Sequence, residues 1–122
     1  VFASDRLVIV VPRDHPWTRR RKPVTLAELA EEPFVLRAPG SGTRQCLAEA
    51  LEDAGLSLAG LNTTLELGSN EAMVTAVLQG AGIATVSQLA AARELTSGKL
   101  KTAQVEGLNL ERKFYLITKR AR

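Results

Sequence analysis

The chain has 122 residues, of which 45% are hydrophobic and 24% charged, and its formal net charge is +3. This length predicts one domain, or one lobe of a larger one, and the composition is typical of a globular chain rather than a disordered one. No apolar stretch approaches the roughly 20 residues that span a membrane, and the single cysteine, Cys46, excludes an intrachain disulfide and a cysteine-based zinc site. We therefore expect a cytoplasmic protein with no membrane partner. Because the chain starts at Val1, we expect an excised piece of a longer protein, or a processed one.

The first third of the sequence predicts two strands separated by a short helix. Residues 7–11, "LVIVV", form a continuous β-branched run before a proline, which is typical of a strand buried on both faces. In "PVTLAELAEEP", Thr25 is the predicted N-cap, Glu28 stands at capping-box spacing, and Pro33 ends the helix. "FVLR", residues 34–37, is the second predicted strand.

The rest of the chain alternates helix and strand patterns. Leu47 and Leu51 recur at helical spacing after a glycine-rich loop, and Gly55 is the predicted C-cap of that helix. The remaining predicted elements are a strand at 63–67, a helix with Met73, Ala76 and Val77 on its apolar face, a strand at 83–87, a helix across 88–96, and extended segments in "LKTAQVEG" and "KFYLIT".

This order of elements predicts an α/β fold, a single three-layer lobe with a mixed, mostly parallel sheet flanked by helices. The strands at 34–37, 63–67 and 83–87 would then all end at one edge of the sheet. In open α/β sheets, ligands bind outside the carboxyl ends of the strands, where the strand order reverses. If strand 34–37 lies between the other two, this reversal falls beside "RAPGSGTR", residues 37–44.

The loop "RAPGSGTR" has two interpretations. A helix starting near Ser41 or Gly42 exposes unpaired N–H groups and the positive end of its dipole. Gly42 would let a ligand approach the main chain, Ser41 and Thr43 add hydroxyls, and Arg44 or Arg37 could add charge. These features suit a small anion or a carboxylate. The alternative is a plain turn followed by an ordinary N-cap.

A second helix start, "GSNEA" at 68–72, lies on the same predicted edge. It offers the side chains of Ser69 and Asn70, and plain N-capping is again the alternative interpretation. Glu71 weakens this helix start as an anion site, because its carboxylate already interacts with the dipole. A ligand with a donor group as well as an acid group would fit both helix starts.

The sequence offers no catalytic constellation, no metal site and no cofactor motif. The glycine loop lacks the spacing of a phosphate-binding loop, and Gly80-Ala81-Gly82 precedes a strand, which favours a helix C-cap and tight turn over a dinucleotide fingerprint. His15 is the only histidine, and Cys46 is interpreted as a packed helix residue. The basic run at 19–22 is expected to be a solvated loop, since nucleic-acid binding would want a broader basic face with aromatic platforms.

Four segments in order resemble the effector-binding domain of LysR-type transcriptional regulators. They are "DRLVIVVPRDHPW", "VTLAELAEEPFVLRAPGSGTR", "LELGSNEAMVTAVLQGAGIATVSQLAA" and "ELTSGKLKTAQVEGLNLERKFYLITKR", which together extend from about Asp5 to Arg120. The resemblance implies a lobe of the type 2 periplasmic-binding-protein-like fold. It also implies that residues 1–122 are one effector-binding regulatory lobe, a fragment that lacks the DNA-binding helix-turn-helix and most of the other lobe.

The resemblance further implies a ligand cleft and a set of partners. On this lobe the cleft residues would be Ser41, Gly42, Thr43, Arg44, Ser69, Asn70, Ser87 and Gln88. The expected partners are a small-molecule effector, commonly an anion or a small acid, and a second copy of the parent protein, through 62–67 and 43–54. DNA would be bound only through the absent N-terminal domain. Two alternatives remain open: a lobe of a transport-linked solute-binding protein, and an enzyme built on the same lobe architecture.

Overall fold

The computed structural model of the chain describes residues 6–110. Within this range, two short 3-10 helices lie at Pro16–Arg19 and Leu58–Gly60. The strands and α-helices, in chain order, are β1 (Leu7–Pro12), α1 (Leu26–Glu31), β2 (Pro33–Arg37), α2 (Gly42–Asp53), β3 (Asn62–Leu67), α3 (Asn70–Leu78), β4 (Ile83–Ser87), α4 (Ala92–Ser97) and β5 (Leu100–Ala103).

The described strands form one mixed sheet of five, in the order β3-β2-β4-β1-β5. β2 pairs in parallel with both β3 and β4, whereas β1 is antiparallel to both β4 and β5. β1 therefore runs against the other strands, which share one direction. β2 lies between β3 and β4, which is the arrangement that the sequence analysis considered as a condition, and the carboxyl ends of these three strands lie at the same edge of the sheet.

The core consists of two apolar layers, one on each face of the sheet. Cys46, Leu47 and Leu51 of α2 are buried in one layer, and Met73 and Val77 of α3 are buried in the other. Each fully buried Leu or Met stabilises the fold by about 1.5–3 kcal/mol relative to an exposed one. The layers confirm the predicted α/β lobe and position α2 and α3 on opposite faces of β2 and β4.

The predicted ends of α1 and α2 are confirmed at three positions. The backbone N–H of Glu28 donates to Thr25 Oγ1 at 3.2 Å, and the backbone N–H of Thr25 donates to Glu28 Oε1 at 3.0 Å, which completes the capping box of α1. Pro33 begins β2 instead of continuing the helix. Gly55, with φ of +87°, follows the C-terminal end of α2, as expected of a C-cap glycine.

The turn between α3 and β4 also has the predicted form. Gly80 has a φ of +85° and follows the C-cap of α3. At Gly82 the chain passes so close to β2 that a Cβ atom would lie 2.6 Å from the carbonyl oxygen of Pro33. These glycines therefore serve a tight turn and the close approach of two paired strands, not a phosphate site.

The predicted helix across 88–96 is wrong at its start. α4 begins at Ala92, and the chain first makes a turn in which the N–H of Ala90 donates to the carbonyl of Ser87 at 3.0 Å. Ala91 is the N-cap of α4 and makes no side-chain capping hydrogen bond. Gly98 ends it in the left-handed conformation, as predicted. The predicted extended segment "KFYLIT" lies outside the described residues.

Candidate functional site

A crevice lies at the carboxyl edge of the sheet, where β2 and β4 separate. The parallel ladder between β2 and β4 stops at Val35↔Ala84, whereas the ladder between β2 and β3 continues to Arg37↔Leu67. Beyond Val35, β2 and β4 no longer pair. The crossover through α2 leads from β2 to β3 on one side, and the crossover through α3 then leads from β3 to β4 on the other side of β2. This is the topological switch point at which ligands of open α/β sheets bind.

The N-terminus of α2 lies at this crevice. Ser41 is its N-cap, and the Ser41 Oγ accepts a hydrogen bond of 2.9 Å from the N–H of Arg44. The first turn contains no acidic side chain, so the remaining N–H groups and the positive end of the helix dipole have no internal anion. Within residues 6–110, the Thr43 hydroxyl has no hydrogen-bond partner.

The two loop glycines have different local environments. Gly40 has a φ of +96°, so the turn itself requires a glycine there. Gly42 is exposed, has no positive φ, and a Cβ atom at this position would meet open space. The described part of the fold therefore gives a structural reason for Gly40 and none for Gly42.

The N-terminus of α3 is more completely satisfied by the protein itself. The Ser69 Oγ accepts a 3.1 Å hydrogen bond from the N–H of Ala72, and Glu71 supplies an acidic side chain in the first turn. The Asn70 Oδ1 accepts a 2.8 Å hydrogen bond from a terminal nitrogen of Arg37. Ser69 and Asn70 are half-buried at the predicted edge. The side-chain oxygen of each already accepts a hydrogen bond from another residue of the chain.

Two arginines join the elements around the crevice. A terminal nitrogen of Arg44 donates to the carbonyl of Arg37 at 2.9 Å and also lies 3.1 Å from Glu66 Oε2 on β3. The two side chains of that ion pair are 21% and 48% exposed, so it contributes only about 0–1 kcal/mol. Arg44 therefore links α2 to the end of β2 by a hydrogen bond, and Glu66 partly compensates the charge of its guanidinium.

A small cavity lies beneath the first turn of α2, where β2 and β4 part. Its lining includes Arg37, Thr43 and Thr85 as polar residues, with Leu47 and Met73 among the apolar ones, and its volume is about 10 Å³. In the part of the chain that the structure describes, Thr85 Oγ1 and Arg37 Nε are buried without a hydrogen-bond partner. A buried donor left unpaired costs about 1–3 kcal/mol.

The sequence prediction missed Thr85 altogether and treated Arg37 only as an alternative source of charge. Thr85 lies inside the apolar strand "IATVS" and is 2% exposed. One signal was available, because a hydroxyl in an otherwise apolar buried strand needs a partner. The identity of that partner depends on where β2 and β4 separate, which the local sequence does not indicate.

Ser87 and Gln88 lie at the end of β4 on the same sheet edge. The N–H of Gln88 donates to the carbonyl of Arg6 at 2.7 Å, and the carbonyl of Ser87 accepts from the turn that follows. Neither residue is among those that line the small cavity. Of the eight predicted cleft residues, Thr43 and Arg44 line the cavity. The other six lie at the same edge of the sheet but do not line it.

The remaining reactive side chains have structural contacts. Cys46 is fully buried, and its Sγ lies 3.6 Å from the carbonyl oxygen of Leu110. The His15 Nε2 lies 2.6 Å from Glu32 Oε1, and its Nδ1 accepts a hydrogen bond from the N–H of Trp17. Arg20, in the basic run, pairs with Glu28. Residues 6–110 contain no group of three or more metal-ligating side chains, and none of their helices is long and apolar enough to cross a bilayer.

Comparison with known proteins decides the family. The sequence model of the LysR substrate binding domain matches residues 1–122. The chain belongs to the LysR substrate-binding domain family. This domain is regulatory and not catalytic, so the expectation that the chain is not an enzyme is confirmed, and the alternative of an enzyme on the same architecture is set aside.

Curated relatives of this LysR domain are transcriptional regulators. An HTH-type regulator of Mycobacterium tuberculosis is 44% identical over 118 residues, which cover 96% of this chain and 38% of that protein. A RuBisCO operon transcriptional regulator of Acidithiobacillus ferrooxidans is 42% identical over 116 residues, or 95% of this chain and 36% of the relative. The chain therefore spans less than half the length of these relatives.

Solved structures of LysR regulators share the fold. The regulatory domain of CcmR from Synechocystis, in complex with 2-PG, has a TM-score of 0.73 and 30% identity over 85% of this chain and 48% of that one. The effector-binding domain of QuiR, in complex with shikimate, has a TM-score of 0.69 and covers 96% of this chain and 61% of that one. At 16% identity, QuiR supports the fold alone. The predicted periplasmic-binding-protein-like fold is confirmed.

Proposed function

We propose that residues 1–122 form one effector-sensing lobe of a LysR-type transcriptional regulator and bind a small anionic or polar effector at the carboxyl edge of β2, β3 and β4. The proposed ligand-binding residues are Ser41, Gly42, Thr43, Arg44, Ser69, Asn70, Ser87 and Gln88. The effector modulates DNA binding by the parent protein, and DNA itself is contacted by a part of that protein outside this chain.

The N-terminus of α2 carries this proposal. Its first turn has no acidic residue, Gly42 leaves open space above the main chain, and Thr43 presents an unpaired hydroxyl toward the crevice. Unpaired N–H groups at the positive end of a helix dipole form a favourable site for an anion. The guanidinium groups of Arg37 and Arg44 add positive charge at the same place.

The ligand of a related structure supports the same chemical class. The CcmR regulatory domain, which is 30% identical to this chain, was solved in complex with 2-PG. We therefore use 2-PG as a probe, together with inorganic phosphate, sulfate and acetate. These probes differ in size and charge, and their relative affinities define the effector class of this chain.

Regulation follows from differential affinity of the effector for two arrangements of the parent protein. In this proposal the effector bridges this lobe and a second lobe and favours their closed arrangement, which changes the spacing of distant DNA-binding modules. A ligand shifts such an equilibrium only by as much as its affinities for the two states differ. The regulator would act in the cytoplasm, where its DNA target is found.

The parent protein is proposed to work as a homodimer or a higher oligomer. β3 is an edge strand of the described sheet, and its residues from Asn62 to Glu66 are exposed. An exposed edge strand can pair with or pack against a second chain. Together with α2, β3 is the surface that we propose for contact with the partner.

Substitution of Thr43 tests the effector site. The probes are titrated into the full-length protein by calorimetry at constant ionic strength, and the tightest-binding probe is taken forward. Thr43→Val keeps the side-chain shape and removes the hydroxyl, and we expect roughly ten- to hundredfold weaker binding, since a hydrogen bond to a charged ligand contributes about 1.5–3 kcal/mol. Thr75→Val, at an exposed position of α3, is the matched control and should leave affinity unchanged. Equal affinity in both variants would remove Thr43 from the site.

A further inference from the structure

Thr85 is a buried hydroxyl for which the described fold provides no partner. The side chain is 2% exposed, and its neighbours in β4, Ala84 and Val86, are buried and apolar. Thr85 Oγ1 makes no hydrogen bond to any residue in the described range of the chain. A valine would fill the same volume without burying a hydroxyl, so the hydroxyl is a cost to the fold unless something else bonds to it.

Arg37, which also lines this cavity, carries a second unpaired donor. One terminal nitrogen of its guanidinium donates to Asn70 Oδ1 at 2.8 Å, and the other lies 3.5 Å from the carbonyl oxygen of Gly68. These contacts hold the plane of the group, so the direction of its Nε–H is fixed. Arg37 Nε is buried and makes no hydrogen bond among residues 6–110.

The size of the cavity limits what can reach both donors. Thr85 and Arg37 line it together with Thr43, and the centre of a water-sized atom has about 10 Å³ in which to move. Roughly 10–15 Å³ is the minimum for a single water molecule. The apolar walls include Phe34, Leu47 and Met73, and a space of this size suits a single oxygen atom.

The unpaired donors also determine which kind of ligand atom the cavity favours. The Nε–H of Arg37 can only donate, and it carries the positive charge of the guanidinium. The hydroxyls of Thr85 and Thr43 can both donate to an acceptor. A carboxylate, phosphate or sulfate oxygen is therefore favoured, while an ammonium group would be repelled by Arg37.

We propose that this cavity is the inner pocket of the effector site, in which one oxygen of an anionic effector accepts hydrogen bonds from Arg37 Nε and Thr85 Oγ1. The proposal rests on the proposed function, and it names two recognition residues that the cleft residues do not include. The N–H groups at the start of α2 would bind the outer oxygens of the same acid group. The rest of the effector would extend out of the crevice, toward the second lobe of the parent protein.

The test uses the full-length protein with 2-PG and with inorganic phosphate as probes. Thr85→Val should weaken binding roughly ten- to hundredfold, because it removes a hydrogen bond to a charged oxygen. Its thermal midpoint should stay unchanged or rise, since the unpaired hydroxyl is gone. Thr85→Ser should restore most of the affinity, and Thr102→Val, at an exposed position of β5, is the matched control.

A second measurement does not depend on how Thr85→Val folds. In protein labelled with ¹⁵N-arginine, the Nε–H resonance of Arg37 is assigned by its absence in Arg37→Lys. Saturation with either probe should shift this resonance downfield in the wild-type protein, and Thr85→Ser should show the same shift.

The outcomes separate the inner pocket from the proposed function. If Thr43→Val weakens binding while Thr85→Val does not, or if the Arg37 resonance fails to move at saturation, the effector site stands and the inner pocket is wrong. If no probe binds the wild-type protein, the proposed function fails, and the inner pocket fails with it.

Discussion

The N-termini of α1 and α2 have the same kind of N-cap but differ in the charge of the first turn. Thr25 and Ser41 are both hydroxyl N-caps, and each accepts a hydrogen bond from the N–H three residues later. At α1 that later residue is Glu28, whose carboxylate returns a hydrogen bond to the N–H of Thr25. At α2 it is Arg44, whose side chain turns away to Arg37 and Glu66.

This difference separates a structural helix start from one available to a ligand. Glu28 supplies negative charge to the first turn of α1, and Arg20 pairs with that carboxylate. The α1 N-terminus is therefore satisfied within the chain. The first turn of α2 has no acidic residue, and an exposed glycine stands at its first position. An external anion can supply there what Glu28 supplies at α1.

The largest effect should come from giving α2 an internal carboxylate. Gly42→Asp places a side chain in open space and an acidic group in the first turn, which α1 already has. We expect effector-probe affinity to fall by more than roughly a hundredfold, since two like charges about 4 Å apart repel by several kcal/mol at a protein surface. Calorimetric titration with 2-PG measures the loss.

The same substitution should not harm the fold. The carboxylate interacts favourably with the helix dipole, so the free energy of unfolding should rise by about 0.3–1 kcal/mol. Gly60→Asp, which has the same charge change at a position whose Cβ would meet only Ser57 Oγ at 3.9 Å, is the control and should bind the probe as the wild type does. Full affinity in Gly42→Asp would mean that α2 is an ordinary helix start like α1.

A smaller effect should follow from removing the α1 cap. Thr25→Ala breaks the capping box and should lower the free energy of unfolding by about 1 kcal/mol, which corresponds to a loss of roughly 4–8 °C in thermal midpoint for a small domain. Probe affinity should not change, because α1 has no place in the effector site. Ser41→Ala is the counterpart, and it should lower both quantities. If Thr25→Ala also weakened binding, the two helix starts would be coupled and the contrast between them would fail.

The smallest effect should be the pH dependence of the α1 helix start. The hydrogen bond from Arg20, and then that from the backbone of Thr25, lowers the pKa of Glu28 from 4.5 to about 2. Because the pKa of the folded state is the lower one, this contribution to stability is complete above pH 4.5 and is lost as the pH falls toward about 2.

Arg20→Gln measures this contribution. Thermal melts of wild type and variant should differ near neutral pH, and the difference should close as the pH falls through the range of the Glu28 pKa. Arg19→Gln is the control for loss of charge alone. A gap between wild type and Arg20→Gln that stays constant down to about pH 2 would contradict the lowered pKa of Glu28.

Features that depend on neighbouring residues were predictable from the sequence. The capping box of Thr25 and Glu28, the break at Pro33 and the C-cap at Gly55 are each encoded within a few positions. The alternation of strands and helices also predicted parallel strands with their carboxyl ends at one edge, but the place of β2 between β3 and β4 was only a condition until the sheet order was known. The late start of α4 was missed, since nothing local distinguishes its turn from a first helical turn.

Features that depend on distant residues were not predictable. Arg44 reaches Glu66, 22 positions away, and Arg37 reaches Asn70, 33 positions away. The inner cavity exists because the β2 and β4 ladder stops at Val35↔Ala84, and this register is a property of the assembled sheet. Thr85 therefore looked like an ordinary strand residue until its surroundings were known.

The close approach of Gly82, just before β4, to the start of β2 limits how this lobe can evolve. Any side chain at position 82 would place its first carbon 2.6 Å from the carbonyl oxygen of Pro33, and a backbone carbonyl within a sheet cannot turn aside as a flexible side chain can. No single codon change away from glycine is then neutral for folding. Position 82 can therefore vary only if the start of β2 also changes, which couples the sequences at the beginnings of these two strands.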